Sequence, residues 1–249
     1  MTFLQALILG LVQGLTEFFP VSSSAHLALA KWLLGISGGE KLLYFDLTCH
    51  AGTLVALIYF LRKEVVEVLG SARRMGVFVL ALVPLVPAYF LLKPVRMAMA
   101  DPAYLGYCLF FTGGLLLMAS RPRIPSEQKT GHVVCIGIAQ AMALIPGISR
   151  SGATMACARF CGWEWKRAAR FSFLLAIPTI LGGEVLETMK GGTAWDGWWG
   201  CYAVGFVASL GVGLVMVRGA FALYEKGKVS GFGWYCMGMG LVAWVAFHG

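Results

Sequence analysis

Two stretches of this sequence place ionisable and hydroxyl side chains inside apolar runs. One of them is built to hold an anion. The stretch PGISRSGAT, residues 146–154, sets Arg150 among Ser149, Ser151 and Thr154, with nearly apolar sequence at 133–145 and 155–160 on either side. Pro146 and Gly147 stop the preceding helix. Ser149 and Ser151 are candidate N-caps for the next one, whose first-turn N–H groups point into the break. A helix N-terminus beside hydroxyls and a guanidinium fork suits bidentate capture of a phosphate. A plain helix cap whose arginine snorkels to the headgroups explains the serines, but not a cation set in apolar sequence. The other stretch, QGLTEFFPVSSSAH, has Gln13 and Glu17 four apart on one helix face. Ser22 and His26 repeat that spacing after Pro20, and Ser23 lies three before His26. Leu11, Val12, Leu15, Phe18 and Phe19 around Glu17 argue against a solvated face. For His26 a hydrogen-bonded position in an apolar helix is the competing reading.

The elements that carry these residues follow from composition. With 59% hydrophobic and only 13% charged residues over 249 positions, the chain has too much apolar surface for a soluble domain and reads as an all-α polytopic membrane protein. A net charge of +8 does not point to nucleic acid here, because Lys and Arg gather in short loops between apolar spans. Seven scattered cysteines suggest neither a disulfide framework nor a zinc site, and residues 1–15 lack the basic start and cleavage site of a removable signal. Six spans are expected at 45–61, 77–92, 103–119, 171–186, 198–217 and 232–247, with Pro84 and Pro87 kinking the second. Residues 2–19 with 22–34, and 133–145 with 151–162, are pairs too short to span. They read as two re-entrant helical hairpins whose tips are the polar stretches.

Both halves of the chain run short helix, proline–serine break, short helix, three spans. GLVQGLTEFFPVSSSAHL and GIAQAMALIPGISRSGAT share a Gly-x-x-Gln start, so a single membrane domain with repeat halves near 1–125 and 126–249 is expected. Basic residues concentrate after the first, third and fifth spans, which makes that side cytoplasmic and both termini periplasmic. The hairpins then enter from opposite faces and meet near the membrane middle, an inverted-topology repeat. Asp46 and His50 open the first span, either facing the same site or sitting at an interfacial helix end.

The two tips together closely resemble the signature motifs of the undecaprenyl-diphosphate phosphatase family, the bacitracin-resistance type of bacterial inner-membrane enzyme. FDLTCHAGTLVAL and FSFLLAIPTILGG extend the resemblance over nearly the whole chain. The resemblance implies hydrolysis of a C55 polyprenyl diphosphate, a lipid substrate, to the monophosphate carrier for peptidoglycan precursors. It also implies a divalent cation, Mg or Ca, and a site open to the periplasm. Gln13 and Glu17 fall on the family's Glu/Gln-x-x-x-Glu pattern, Ser22, Ser23 and His26 on its serine turn and histidine, and Pro146 to Ser151, with Thr154, on its Pro-Gly-x-Ser-Arg-Ser motif. The chain departs at Gln13, often glutamate there, and at His50, often glutamine.

On that basis Glu17, Ser23, His26 and Arg150 are the expected catalytic residues, and Gln13, Ser22, Ser149, Ser151 and Thr154 the substrate-binding ones. Arg150 neutralises charge at the transferred phosphate. Glu17 holds the metal or orients the attacking group. His26 transfers protons, and Ser23 is a nucleophile activated by it or a phosphate-binding hydroxyl for direct water attack, with the nucleophile preferred. A carrier of polyprenyl phosphate or another anion is the rival, since inverted repeats with broken helices are also a transporter plan. A serine, histidine and glutamate at one tip exceed what anion binding requires. A homodimer is an assembly left open by the sequence.

Overall fold

The computed structural model describes residues 1–36, 39–190 and 197–248. Every regular element among them is helical. The helices are α1 (Phe3–Thr16), α2 (Ser23–Leu33), α3 (Gly39–Phe60), α4 (Arg62–Leu69), α5 (Ala72–Leu82), α6 (Leu85–Leu91), α7 (Lys93–Ala98) and α8 (Leu105–Ala119), the last entered through a 3₁₀ turn at Pro102–Tyr104. After an extended connection come α9 (Thr130–Met142), α10 (Arg150–Phe160), α11 (Trp165–Lys190), α12 (Trp199–Glu225) and α13 (Ser230–His248). Six stretches are long and apolar enough to cross a membrane: Lys41–Phe60, Ala72–Leu91, Pro102–Ala119, Trp165–Met189, Trp199–Glu225 and Ser230–His248. The protein is therefore a multi-pass helical membrane protein. Large apolar side chains such as Phe90, Val207 and Trp234 stand exposed on its outer faces, where lipid replaces water.

The second span breaks between α5 and α6 at Val83–Pro84. Proline supplies no N–H to the ladder, and its ring crowds the carbonyl one turn back. The fourth starts at Trp165, earlier than the expected 171, because Lys166, Arg167 and Arg170 lie in charged but helical first and second turns that an apolar-run criterion leaves out. The amphipathic α4, RKEVVEVL, was not expected as an element.

α1–α2 and α9–α10 are the two short pairs, each broken where expected, and their lengths are compatible with re-entrant hairpins. Helices of each half pack on the other: α1 and α3 against α12, α5 against α9, α8 against α13. Gly14 makes the first of these contacts possible. A β-carbon there would lie 2.7 Å from Cβ of Val212 and 3.0 Å from the Ser209 carbonyl oxygen.

A broken helix in a bilayer must have its freed carbonyls satisfied by protein. At the first tip three successive carbonyls each accept a side-chain donor from a different helix. The Tyr224 hydroxyl of α12 donates to Phe18 O at 2.6 Å, the Ser151 hydroxyl of α10 to Phe19 O at 3.3 Å, and the Cys236 thiol of α13 to Pro20 O at 3.5 Å. The aromatic core of Phe18, Phe173, Phe221 and Tyr224 backs this tip through edge-to-face contacts at 5.3–6.0 Å.

Candidate active site

Each tip ends in a helix cap that aims backbone N–H groups at the same space. Ser22, at φ 66 and ψ 89, is the one non-glycine with positive φ among the described residues, and its hydroxyl caps α2 by accepting from Ala25 N–H at 3.4 Å. A left-handed serine costs on the order of 1–3 kcal/mol and persists where surrounding contacts impose it. At the second tip Gly147 takes the positive φ, 91°, and Ser149 caps α10 by accepting from Gly152 N–H at 3.1 Å. Of the two cap candidates it is Ser149 that serves. Ser151 lies one residue into the helix, where its hydroxyl reaches the opposite tip.

Between the caps lies a cavity of about 310 Å³, lined by Glu17, Ser22, Ser23, Ser149, Arg150 and Ser151 among others. Glu17 is its hub. Its Oε1 accepts from Arg150 Nη2 at 2.9 Å, a pair joining residues 133 apart in sequence. Its Oε2 accepts from the Ser23 hydroxyl at 2.7 Å and from Gln13 Nε2 at 3.0 Å. The side chains of Glu17 and Arg150 are only 7% and 18% exposed, so the pair sits in a low-dielectric setting where charge–charge contacts are strong. Arg150 Nη1 is buried and has no hydrogen-bond partner, which leaves donor capacity on the guanidinium beyond what Glu17 uses.

Sequence similarity matches this geometry to a family. The profile described as bacitracin resistance protein BacA matches residues 6–242. The chain belongs to that family. Proteins similar to it include an undecaprenyl-diphosphatase of Protochlamydia amoebophila, 37% identical over all of both chains, and one of Salinibacter ruber, 36% identical over 97% of this chain and 99% of the relative. Another, of Desulforudis audaxviator, is 42% identical over 75% of this chain and 76% of its own.

Not every expected residue of the family motif enters the cavity. Gln13 is fully buried behind Glu17, with Nε2 also 2.7 Å from His50 Nδ1. Thr154 joins its hydroxyl to Ser172 at 2.7 Å and to the Arg150 carbonyl at 2.8 Å, tying α10 to α11. His26 departs furthest from expectation. Its Nδ1 contacts the Ser22 carbonyl at 2.8 Å and its Nε2 the Tyr235 hydroxyl at 2.8 Å, with the two rings stacked 5.6 Å apart. Both ring nitrogens are thus engaged away from Ser23, whose hydroxyl donates instead to Glu17, so the expected activation of Ser23 by His26 has no hydrogen bond to carry it here. Helical spacing brought the two residues near; it did not fix where the ring turns. Asp46 and His50 part company as well: Asp46 pairs with Lys31, while His50 lines the cavity with Nδ1 3.6 Å from Glu17 Oε2.

The sequence reading missed Glu184 and Glu187 of α11, which also line the cavity. An ionisable residue inside an apolar span was the available signal, since Glu184 falls within the expected 171–186 span. Among the described residues no group of three or more His, Cys, Asp or Glu could by itself hold a metal ion, and both Glu17 oxygens are occupied. Glu184 Oε1, however, is buried without a partner. The donor set fits a hard cation bound by one or two carboxylates and completed by substrate phosphate oxygens.

Proposed function

We infer that this protein is an integral-membrane phosphatase that hydrolyses undecaprenyl diphosphate to undecaprenyl phosphate, recycling the lipid carrier of peptidoglycan synthesis and thereby conferring bacitracin resistance. The relatives' activity supports the reaction. The observation that carries the assignment to this cavity is the convergence of Ser23 and Glu17 from the first half of the chain with Arg150 from the second. Catalysis of phosphoryl transfer is mainly positioning and electrostatics. The free face of the Arg150 guanidinium and the N–H groups at the starts of α2 and α10 hold the terminal phosphate, with Ser22, Ser149 and Ser151 around it. Ser23 attacks the β-phosphorus. Its proton passes to Glu17 Oε2, the atom it already contacts, while the bond from phosphorus to the bridging oxygen breaks and undecaprenyl phosphate leaves. Glu17 gives that proton to the departing phosphate oxygen, so the carboxylate is free again when water attacks the phosphoserine; it takes the water's proton and returns it to Ser23 Oγ as inorganic phosphate leaves.

Glu184, whose Oε1 has no partner, would hold a divalent cation, Mg or Ca, with Glu17 beside it in the cavity, and that cation would neutralise charge on the diphosphate. Gln13 and Thr154 brace this arrangement, and His26 anchors the start of α2 to α13. The site faces the periplasm, in the inner membrane, with both termini on that side. The test is phosphate release from undecaprenyl diphosphate by the purified protein, with and without divalent cation. Release that depends on Glu17 and Ser23 is expected. No release under any cation, together with transport of the lipid, would favour the carrier reading instead.

A further inference from the structure

A headgroup bound between the two tips leaves its hydrocarbon chain with a routing problem, because the tips themselves present hydroxyls, Arg150 and carboxylates. A second cavity, of about 600 Å³, adjoins the first tip and is walled mainly by Val12, Leu15, Leu223, Phe232 and Tyr235, with Thr16, His26 and Lys228 also on its lining. Phe19 lines both cavities, and its ring stacks on Phe232 with centroids 5.1 Å apart. The aromatic pair is thus the partition between a polar chamber and a mainly apolar one. Leu15 and Tyr235 are each 45% exposed, so the apolar chamber is open on the lipid-facing surface between α1 and α13.

We propose that this groove is the exit path of the substrate's isoprenoid chain, which passes the Phe19–Phe232 pair and leaves along α13 into the bilayer. The proposal rests on the polyprenyl diphosphate reading above. Lipid tails are as apolar as the groove, so burial there adds no hydrophobic driving force. The effect is positional: a chain held to one exit direction presents its terminal phosphate to Ser23 and Arg150 in a fixed orientation. Gly231, on the groove wall, gives a clean obstruction, since a β-carbon added there meets nothing within 4 Å.

The test compares phosphate release from undecaprenyl diphosphate and from dimethylallyl diphosphate, whose single isoprene is too short to use the groove. Gly231→Trp and, on another wall, Leu223→Trp should each lower kcat/KM for the long substrate about tenfold and leave the short one within about twofold. Equal losses on both substrates in both variants, or no loss on either, would overturn the proposal. A polyprenyl diphosphate analogue carrying a diazirine on its second isoprene should label α13 in the unmodified protein. The polar cavity has apolar residues of its own at Ile148 and Ile180, and labelling confined to α10 and α11 there would place the exit elsewhere. Should the unmodified protein release no phosphate from either substrate, the phosphatase reading fails. The label still decides whether α13 guides the lipid.

Discussion

At the residue scale the site turns on a division of labour within single side chains. Arg150 spends Nη2 on Glu17 and keeps Nη1 unpartnered, so one planar group bridges the carboxylate and the incoming phosphate. A lysine ammonium is a point charge and cannot hold both directions at fixed angles. Arg150→Lys should therefore lose nearly as much kcat/KM as Arg150→Ala, on the order of 10²-fold or more, in phosphate-release assays of purified variants. Near-normal turnover of the lysine variant would show that charge alone suffices. The hub carboxylate gives a second contrast. Glu17 contacts the Ser23 hydroxyl directly, whereas His26 reaches only Ser22 O and Tyr235. Glu17→Gln keeps the shape but removes the proton acceptor and should lower kcat by about 10²-fold to 10⁴-fold. Tyr235→Phe, which frees His26 Nε2, should stay within a few-fold of the unmodified rate. If the tyrosine variant is as slow as the glutamine one, the imidazole belongs to the chemistry after all.

At the scale of elements, the fold was largely legible, and the reasons it was not entirely so are specific. Apolar runs located the six spans, and Pro20, Pro146 and Gly147 located the two breaks, because a helix cannot continue through them. Serine spacing likewise marked Ser149 as a cap candidate at the second tip, whereas the Ser22 cap of α2 was not anticipated. What the pattern left out depends on neighbours distant in the chain. Tyr224, Ser151 and Cys236 cover the carbonyls of Phe18, Phe19 and Pro20, and no local spacing announces those partners. The ring of His26 turns to Tyr235, 209 residues away, for the same reason. Glu184 was legible in principle as a carboxylate in a span, yet only packing brings it to the cavity of Glu17. The seat of the first tip on α12 depends on Gly14, where a β-carbon would come within 2.7 Å of Val212. Gly14→Leu should cost about 1–3 kcal/mol through overpacking, read as a lowered melting temperature of the detergent-solubilised protein, and activity should fall with it as the tip shifts. An unchanged melting temperature would mean that α1 and α12 can separate without disturbing the fold.

At the scale of the whole molecule, the two pairs of short helices join parts of the chain that a single bilayer crossing would keep apart. Glu17 and Arg150, 133 residues apart, form a buried ion pair, and helices of each half pack on the other, so neither half completes the site alone. On the proposed arrangement, with six spans and tips entering from opposite faces, the basic segments after the first, third and fifth spans fall on one side. There they include Arg73 and Arg74 in the first turn of α5, and Lys226 and Lys228 between α12 and α13. On the orientation proposed above, the positive-inside rule makes that side cytoplasmic. Single cysteines in a cysteine-free background test the arrangement with a thiol reagent that cannot cross membranes. A cysteine at Gly35, beyond the end of α2, should react in intact cells, and cysteines at Gly70 and Gly227 should react only after permeabilisation. In the same background a pair at Ser22 and Ser149, which line one cavity, should join through a short bifunctional reagent. The two readouts fail separately. Gly227 labelled from outside would reverse or abolish the orientation while leaving the joined tips standing. An unreactive Ser22–Ser149 pair in a protein that still releases phosphate would mean that the tips do not meet in the working enzyme.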